Sequence, residues 1–302
     1  MFRSRSCSRQ LPNVSVGARQ SRYNTEMSND DCVEFLQWAL PHLGFRWPGY
    51  RKVRRQVCKR ITRRIDELRI SGFAAYREYL ETEAREWDVL DSFCRISISR
   101  FYRDRQVFDF LRDSIFPKMV EATKADSESE IRCWSAGCAS GEEPYTLKLI
   151  WNLCHRVNYP DLLFSITATD AAPHMLARAY EAVYPASSLK DLPREWIQQA
   201  FDRTSSVDEA EFCLRSEFRS GIQWMCEDLR KSTPEPTFNI IVCRYLAFTY
   251  FDKALQQDVL ERFIERLKPG GFLVIGKQET IETGKSSLQS VGPNIGVYEK
   301  RG

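Results

Sequence analysis

Arg132-Cys133-Trp134-Ser135-Ala136-Gly137-Cys138-Ala139-Ser140-Gly141-Glu142-Glu143-Pro144-Tyr145 decides the fold. It reads as the end of a buried strand, a tight glycine turn and the first turn of a helix. Gly137 and Gly141 let the backbone turn sharply and let a ligand approach. Ser140 is the expected N-cap, and Pro144 is tolerated in the first turn. The helix continues through Leu147, Leu149, Ile150 and Leu153. Strand, glycine turn and helix in this order form a nucleotide-type site at the carboxyl edge of a parallel sheet. Glu142 and Glu143 would repel a phosphate there. S-adenosylmethionine fits better, with its sulfonium, its ammonium and its ribose hydroxyls. The open alternative is an ordinary strand-to-helix connection with glycines for geometry alone.

Roughly 30 residues on, Phe164-Ser165-Ile166-Thr167-Ala168-Thr169 reads as a second strand ending in Asp170. An acid at that tip is where βαβ sites grip a ribose diol. It can also cap the helix beginning at Ala172. Phe238–Cys243 is an apolar run of the kind buried in a parallel sheet. Asp252 caps a helix through Leu255, Val259, Leu260, Phe263 and Ile264. Pro269-Gly270-Gly271 stops it ahead of the strand Phe272–Gly276. Phe212–Arg215 reads as part of a small antiparallel insertion, at about 202–222, and Ile222–Cys226 as a strand returning to the main sheet.

Residues 30–95 read as a helical domain, followed by an α/β domain over 96–302. One helix carries Val53, Val57, Ile61, Ile65 and Leu68 as an apolar stripe. Its other faces carry basic residues from Arg51 to Arg69, expected to point outward. The net charge is only +3 and no aromatics interleave these charges, which argues against a nucleic-acid partner. A solvated face and a docking face for an acidic protein stay open. The tail, residues 1–29, holds Arg3, Arg5, Arg9, Arg19 and Arg22 among serines, with no acid before Glu26. A disordered tail, an organelle transit segment and an upstream start with Met27 as true initiator all fit.

No apolar run approaches the roughly 20 residues of a membrane span. The ten cysteines form no C-x-x-C pair. They read as reduced core thiols in a cytoplasmic protein. His42, His155 and His174 are too dispersed for a metal site, and none is assigned.

Taken together, Trp134–Tyr145, Ala168-Thr169-Asp170, Cys243-Arg244 with Tyr250-Phe251-Asp252, and Leu267–Gly271 resemble the CheR-type chemoreceptor glutamate methyltransferases. Ser97–Asp104 resembles that family's threonine-aromatic-aromatic-arginine motif, and the basic helical module resembles its N-terminal domain. The resemblance implies a class I methyltransferase fold with S-adenosylmethionine as methyl donor. It places Ser97, Ser99, Arg103, Gly137, Gly141, Glu142, Asp170, Asp228, Leu229, Arg244 and Tyr245 at the cofactor. Arg103 would lie beside the methyl group and orient a substrate carboxylate, with Tyr250 closing the pocket. Asp170 would hold the ribose, and Asp228 and Leu229 would face the adenine. The implied partner is an acidic, chemoreceptor-like protein docking on helix 51–69, with the enzyme a monomer. Methylation of a different substrate, or a non-catalytic cofactor-binding module, are the alternatives.

Several positions depart from the family pattern. Tyr245 replaces the asparagine after Arg244, and the run to Tyr250 is about one residue longer. Ser99 replaces a threonine and keeps its hydroxyl. Gly276-Lys277-Gln278-Glu279 stands for glycine-histidine-serine-glutamate. The segment Asp202–Phe212 has no glycine, unlike members that tether a receptor tail, so that tethering mode is not carried over.

Overall fold

The computed structural model describes residues 29–204, 210–282, 287–292 and 294–301. The arginine-rich tail and residues 205–209 of the expected insertion lie outside the described residues.

Ten strands are described. They are β1 Glu130–Ala136, β2 Leu163–Asp170, β3 Val183–Pro185, β4 Phe201–Thr204, β5 Glu211–Leu214, β6 Ile222–Cys226, β7 Phe238–Cys243, β8 Leu267–Ile275, β9 Leu288–Ser290 and β10 Val297–Lys300. Seven build one sheet in the order β6-β2-β1-β7-β8-β10-β9. β6, β2, β1, β7 and β8 run parallel, and β10 is antiparallel to both its neighbours. This is the class I methyltransferase sheet. Chain order reverses between β1 and β7, so their carboxyl ends flank a crevice where ligands bind in open α/β sheets. Every residue of β7 is buried, as a central strand covered on both faces requires.

β3, β5 and β4 form a separate antiparallel sheet. It takes in Val183–Pro185, upstream of the 202 at which the sequence reading starts the insertion, while β6 pairs with β2 in the main sheet. Three residues of strand are too short to stand out by alternation.

The N-terminal module holds five helices: α1 Asn29–His42, α2 Trp47–Tyr50, α3 Arg54–Leu68, α4 Phe73–Thr82 and α5 Glu86–Cys94. The stripe on α3 buries Val57, Ile61 and Ile65, and the helix ends where Arg69 turns left-handed at φ 57°. Three features of α3 and its surroundings differ from expectation. Val53 precedes the helix and is only half-buried. Arg60 and Arg64 do not point outward. Arg60 donates to the carbonyls of Phe93 and Arg95, and Arg64 forks onto Glu86 at 2.9 and 2.8 Å. Each adjoins a stripe residue, Ile61 or Ile65, and so lies close enough to the buried face to reach α5, which packs against that side of α3. Finally, Cys32 and Cys58 are joined as a disulfide linking α1 to α3, so they are not reduced core thiols. Their separation of 26 positions matches no motif because helix packing, not spacing, brings them to a Cα separation of 6.0 Å. Cys226 is also exposed instead of buried.

The helical module is welded to the sheet domain. One hydrophobic cluster runs from Leu36, Tyr50 and Ile61 to Phe248 and Phe263. Arg46 donates to the carbonyls of Phe248 and Thr249, and Gly49 lies so close to Thr249 that a Cβ would meet its carbonyl at 2.3 Å. Asp91 is almost fully buried and receives both terminal nitrogens of Arg230 at 2.6 and 2.9 Å. No helix among the described residues is long and apolar enough to cross a membrane.

Candidate active site

The crevice is built on the level ends of β1 and β2, where Ala136 pairs with Thr169. Gly137 and Cys138 both donate to the Thr169 carbonyl, at 2.8 and 2.9 Å, which folds the glycine turn against β2. Gly137 has φ 82°, and a Cβ there would come within 2.4 Å of Leu246. Asp170 then closes the turn from the other strand. Its two carboxylate oxygens accept the Ala139 and Ala172 amides, each at 2.9 Å. Burial pushes its carboxyl above the ordinary aspartate value, and those two amides oppose the shift.

The crevice has two connected halves sharing Ser97, Gly137, Asp170, Leu246 and Tyr250. Counted to the open mouth, solvent space included, they enclose about 690 and 570 Å³. The first half carries charge: Arg103, Glu143, Arg244 and Tyr245, with Ser99 on its rim. The second is walled by Phe45, Tyr50, Leu229 and Phe251, with Asp228 and Glu227 beside them. Tyr50 and Tyr250 meet edge to face at 5.1 Å, so the helical module supplies part of this wall.

Ten of the sequence-predicted site residues thus come together on one surface: Ser97, Ser99, Arg103, Gly137, Asp170, Asp228, Leu229, Arg244, Tyr245 and Tyr250. Gly141 is not on the wall. It occupies the N-cap of the helix Glu142–Ile150 at φ 91°, where a Cβ would come within about 3 Å of Ala179, Trp224 and Tyr184. Ser140 is therefore not the cap, and its hydroxyl instead donates to Glu142. Glu142 itself is buried behind the wall, not at the cleft. Successive helical residues point about 100° apart, so only one of the two acids can face inward. Glu143 does so, accepting Ser135 Oγ at 2.8 Å and Arg244 at 3.4 Å. Burial pushes the Glu143 carboxyl up, against the pull of Arg244.

Arg244 is buried and holds the first half together. Its Nη2 donates to the Arg103 carbonyl and to Asp104, at 2.6 and 2.7 Å. Tyr245 donates its hydroxyl to the same Asp104 oxygen at 2.6 Å. Burial would raise Asp104, but Tyr245 and Arg244 outweigh it and hold the carboxyl below its usual range. The Tyr245 hydroxyl is pushed up to about 12 by burial and by Asp104. The sequence assigns no site role to Asp104, Glu227 or the anchoring Glu279, and it marks Glu143 only as one of two acids at the helix start. Asp104 does sit in the quoted Ser97–Asp104 motif, which was the available signal.

In the second half, burial would raise Asp228, but both its oxygens accept from Arg230, which brings the carboxyl below its usual range. Arg95 pairs with Asp91 of the preceding α5 and reaches across from the module to the Ala171 carbonyl. Glu227 Oε2 and Arg244 Nε are buried without a hydrogen-bond partner. Orphaned polar atoms at a cleft wall are groups a ligand would satisfy. A glycine cradle, several acids, an aromatic slot and two arginines fit S-adenosylmethionine: a cation, a diol, a flat base and a carboxylate.

Comparison with known proteins gives concordant matches. The family described as CheR methyltransferase, SAM binding domain, matches residues 97–297. A chemotaxis protein methyltransferase of Borreliella burgdorferi is 31% identical over 293 residues, covering 95% of this chain and 100% of that protein. One from Listeria innocua is 30% identical over 251 residues, 83% of this chain and 90% of the relative. The chemotaxis protein methyltransferase of Escherichia coli is 27% identical over 230 residues, 75% and 76% of the two chains.

Proposed function

The chain belongs to the CheR methyltransferase family of S-adenosylmethionine-dependent enzymes, and from that premise we propose that it methylates glutamate side chains of a chemoreceptor-like protein. The observation that carries this reading is Arg103. Its guanidinium lines the charged half of the crevice, and among the described residues no carboxylate lies within ion-pair distance of it. A substrate carboxylate would complete it in a bidentate fork.

The cofactor supplies a methyl group made electrophilic by the sulfonium. The protein's part is to hold the partners in line and keep water out. Asp170 would take the ribose hydroxyls, Leu229 and its aromatic neighbours would clasp the adenine, and Glu143 and Glu227 would offer further acids. Ser97 and Ser99 border the junction of the two halves. Tyr250, packed on Tyr50, covers the reacting centre. No general base is required, because a glutamate of ordinary pKa about 4.3 is already an anion at neutral pH. The Tyr245 hydroxyl, at about 12, keeps its proton and serves as a donor.

The exposed charges of α3 and the turn before it, Arg51, Lys52, Arg55, Lys59 and Arg63, are proposed to meet the acidic acceptor. Arg60 and Arg64 hold the module together instead. Labelled methyl groups transferred to chemoreceptor fragments and released as methanol by mild base would establish the ester. Transfer that resists base would mean another acceptor atom. Cofactor binding with no transfer to any acceptor would mean a binding module.

A further inference from the structure

Tyr245 is held at every point of its length. Its backbone is left-handed at φ 56°, a conformation that is uncommon for a bulky residue. Glu279 keeps it there by accepting its amide at 2.8 Å, while the same carboxylate accepts the Gly276 amide at 2.7 Å and the Thr249 hydroxyl. The ring lies against Gly276, where even a Cβ would come within 2.7 Å of a ring carbon. The hydroxyl is tied to Asp104, which Arg244 also engages. On this fixed ring rests Arg103, its guanidinium carbon 4.2 Å from the centroid. Among the described residues, the guanidinium of Arg103 otherwise donates only to the carbonyl of Ile98, at the crevice mouth.

We infer that Tyr245 is a positioning residue for Arg103. The ring face attracts the guanidinium and fixes its plane. The hydroxyl and Arg244 together satisfy Asp104, so that this neighbouring carboxylate does not capture Arg103. An arginine already ordered on a rigid platform loses less freedom when it meets its ligand. Tyr245 thereby sets acceptor affinity through Arg103 and does not serve as a cofactor ligand. This rests on the reading of Arg103 as the acceptor's carboxylate ligand.

The test uses full-length enzyme and a glutamate-rich helical peptide as probe. Calorimetry measures peptide binding to the enzyme loaded with the demethylated cofactor, and cofactor binding separately. Tyr245→Leu removes the platform and should weaken peptide binding about tenfold, with cofactor affinity unchanged within about twofold. Tyr245→Phe keeps the ring and should recover most of that loss. Gly276→Ala, which displaces the ring without altering its chemistry, should reproduce the Leu effect. In an Arg103→Ala background, Tyr245→Leu should add nothing, as expected for residues acting through one contact. An equal factor in both backgrounds, or a parallel loss of cofactor affinity, would overturn the inference while leaving Arg103's role intact. If Arg103→Ala alone leaves peptide binding and turnover unchanged, both the inference and the reading beneath it fall. Should Tyr245→Leu fail to fold, the Phe and Gly276→Ala variants decide by the same comparison.

Discussion

Replacing Arg64 with alanine separates the two kinds of arginine on α3. Glu86 is only 5% exposed, and it accepts Arg64 Nε at 2.9 Å, Arg64 Nη2 at 2.8 Å and the Tyr76 hydroxyl at 2.9 Å. Without Arg64, one hydroxyl is left to solvate a buried carboxylate. Removing one partner of a buried pair costs about 3–5 kcal/mol. The Arg64 side chain is 26% exposed, so water can enter where the guanidinium stood. That places the expected loss lower, at about 2–3 kcal/mol. At roughly 2–4 °C per kcal/mol, the melting temperature should fall by about 4–12 °C in calorimetry. Arg55→Ala, on the exposed side, should stay within about 0.5 kcal/mol of wild type. The pH dependence has a definite sign. Hydrogen bonds from Arg64 hold the Glu86 carboxyl below its ordinary 4.5, against burial. A depressed folded pKa contributes stability that is complete above the unfolded value and lost as pH falls through the folded one. The gap between wild type and Arg64→Ala should therefore narrow below about pH 4.5. A variant melting within about 1 °C of wild type at pH 7, or a gap independent of pH, would refute this reasoning.

Three further outcomes are expected. Reversing Arg51, Arg55, Lys59 and Arg63 to glutamate should raise the KM for a protein acceptor and leave cofactor affinity and melting nearly unchanged. The wild-type reaction should also slow with salt, since attraction between exposed charges is screened within about 10 Å at 0.1 M; indifference to both changes would leave α3 a merely solvated face. Asp170→Ala should weaken cofactor binding by roughly 1–3 kcal/mol, and because burial raises the Asp170 carboxyl, wild-type affinity should begin to fall in acid at a higher pH than an ordinary aspartate would dictate. Calorimetry giving wild-type affinity for Asp170→Ala would remove it from the site. Arg103→Ala should lower turnover about a hundredfold while changing cofactor affinity less than about threefold; equal losses would make it a cofactor ligand.

The sheet was legible because each of its parallel strands announces itself locally. Phe238–Cys243 is apolar throughout and buried throughout. Asp252 reads as a cap and caps, accepting the Leu255 amide at 2.9 Å. Gly137 reads as a turn with close approach, and Leu246 fills the space a Cβ would need. In these places the cause lies within a few residues of the effect.

The remainder depends on contacts between distant segments. Nothing near Cys32 names Cys58, and nothing near Arg64 names Glu86, 22 residues away. A charge run shows which faces of a helix are basic, but not which face a later helix will cover. Glu142 and Glu143 are chemically the same, and the choice between them turns on where the Gly141 cap aims the first helical turn. The charged half of the crevice is the extreme case. Asp104 and Tyr245 stand 141 positions apart, each at positive φ, and they meet only because Arg244 follows β7 into the crevice. A family pattern marks Tyr245 as a departure, which by itself suggests a damaged pocket. Its contacts support another account. The larger side chain fills the space beside Gly276, satisfies Asp104 and carries Arg103. A substitution that brings three new contacts, all directed at one functional arginine, is better understood as a rebuilt support for the acceptor site than as its loss.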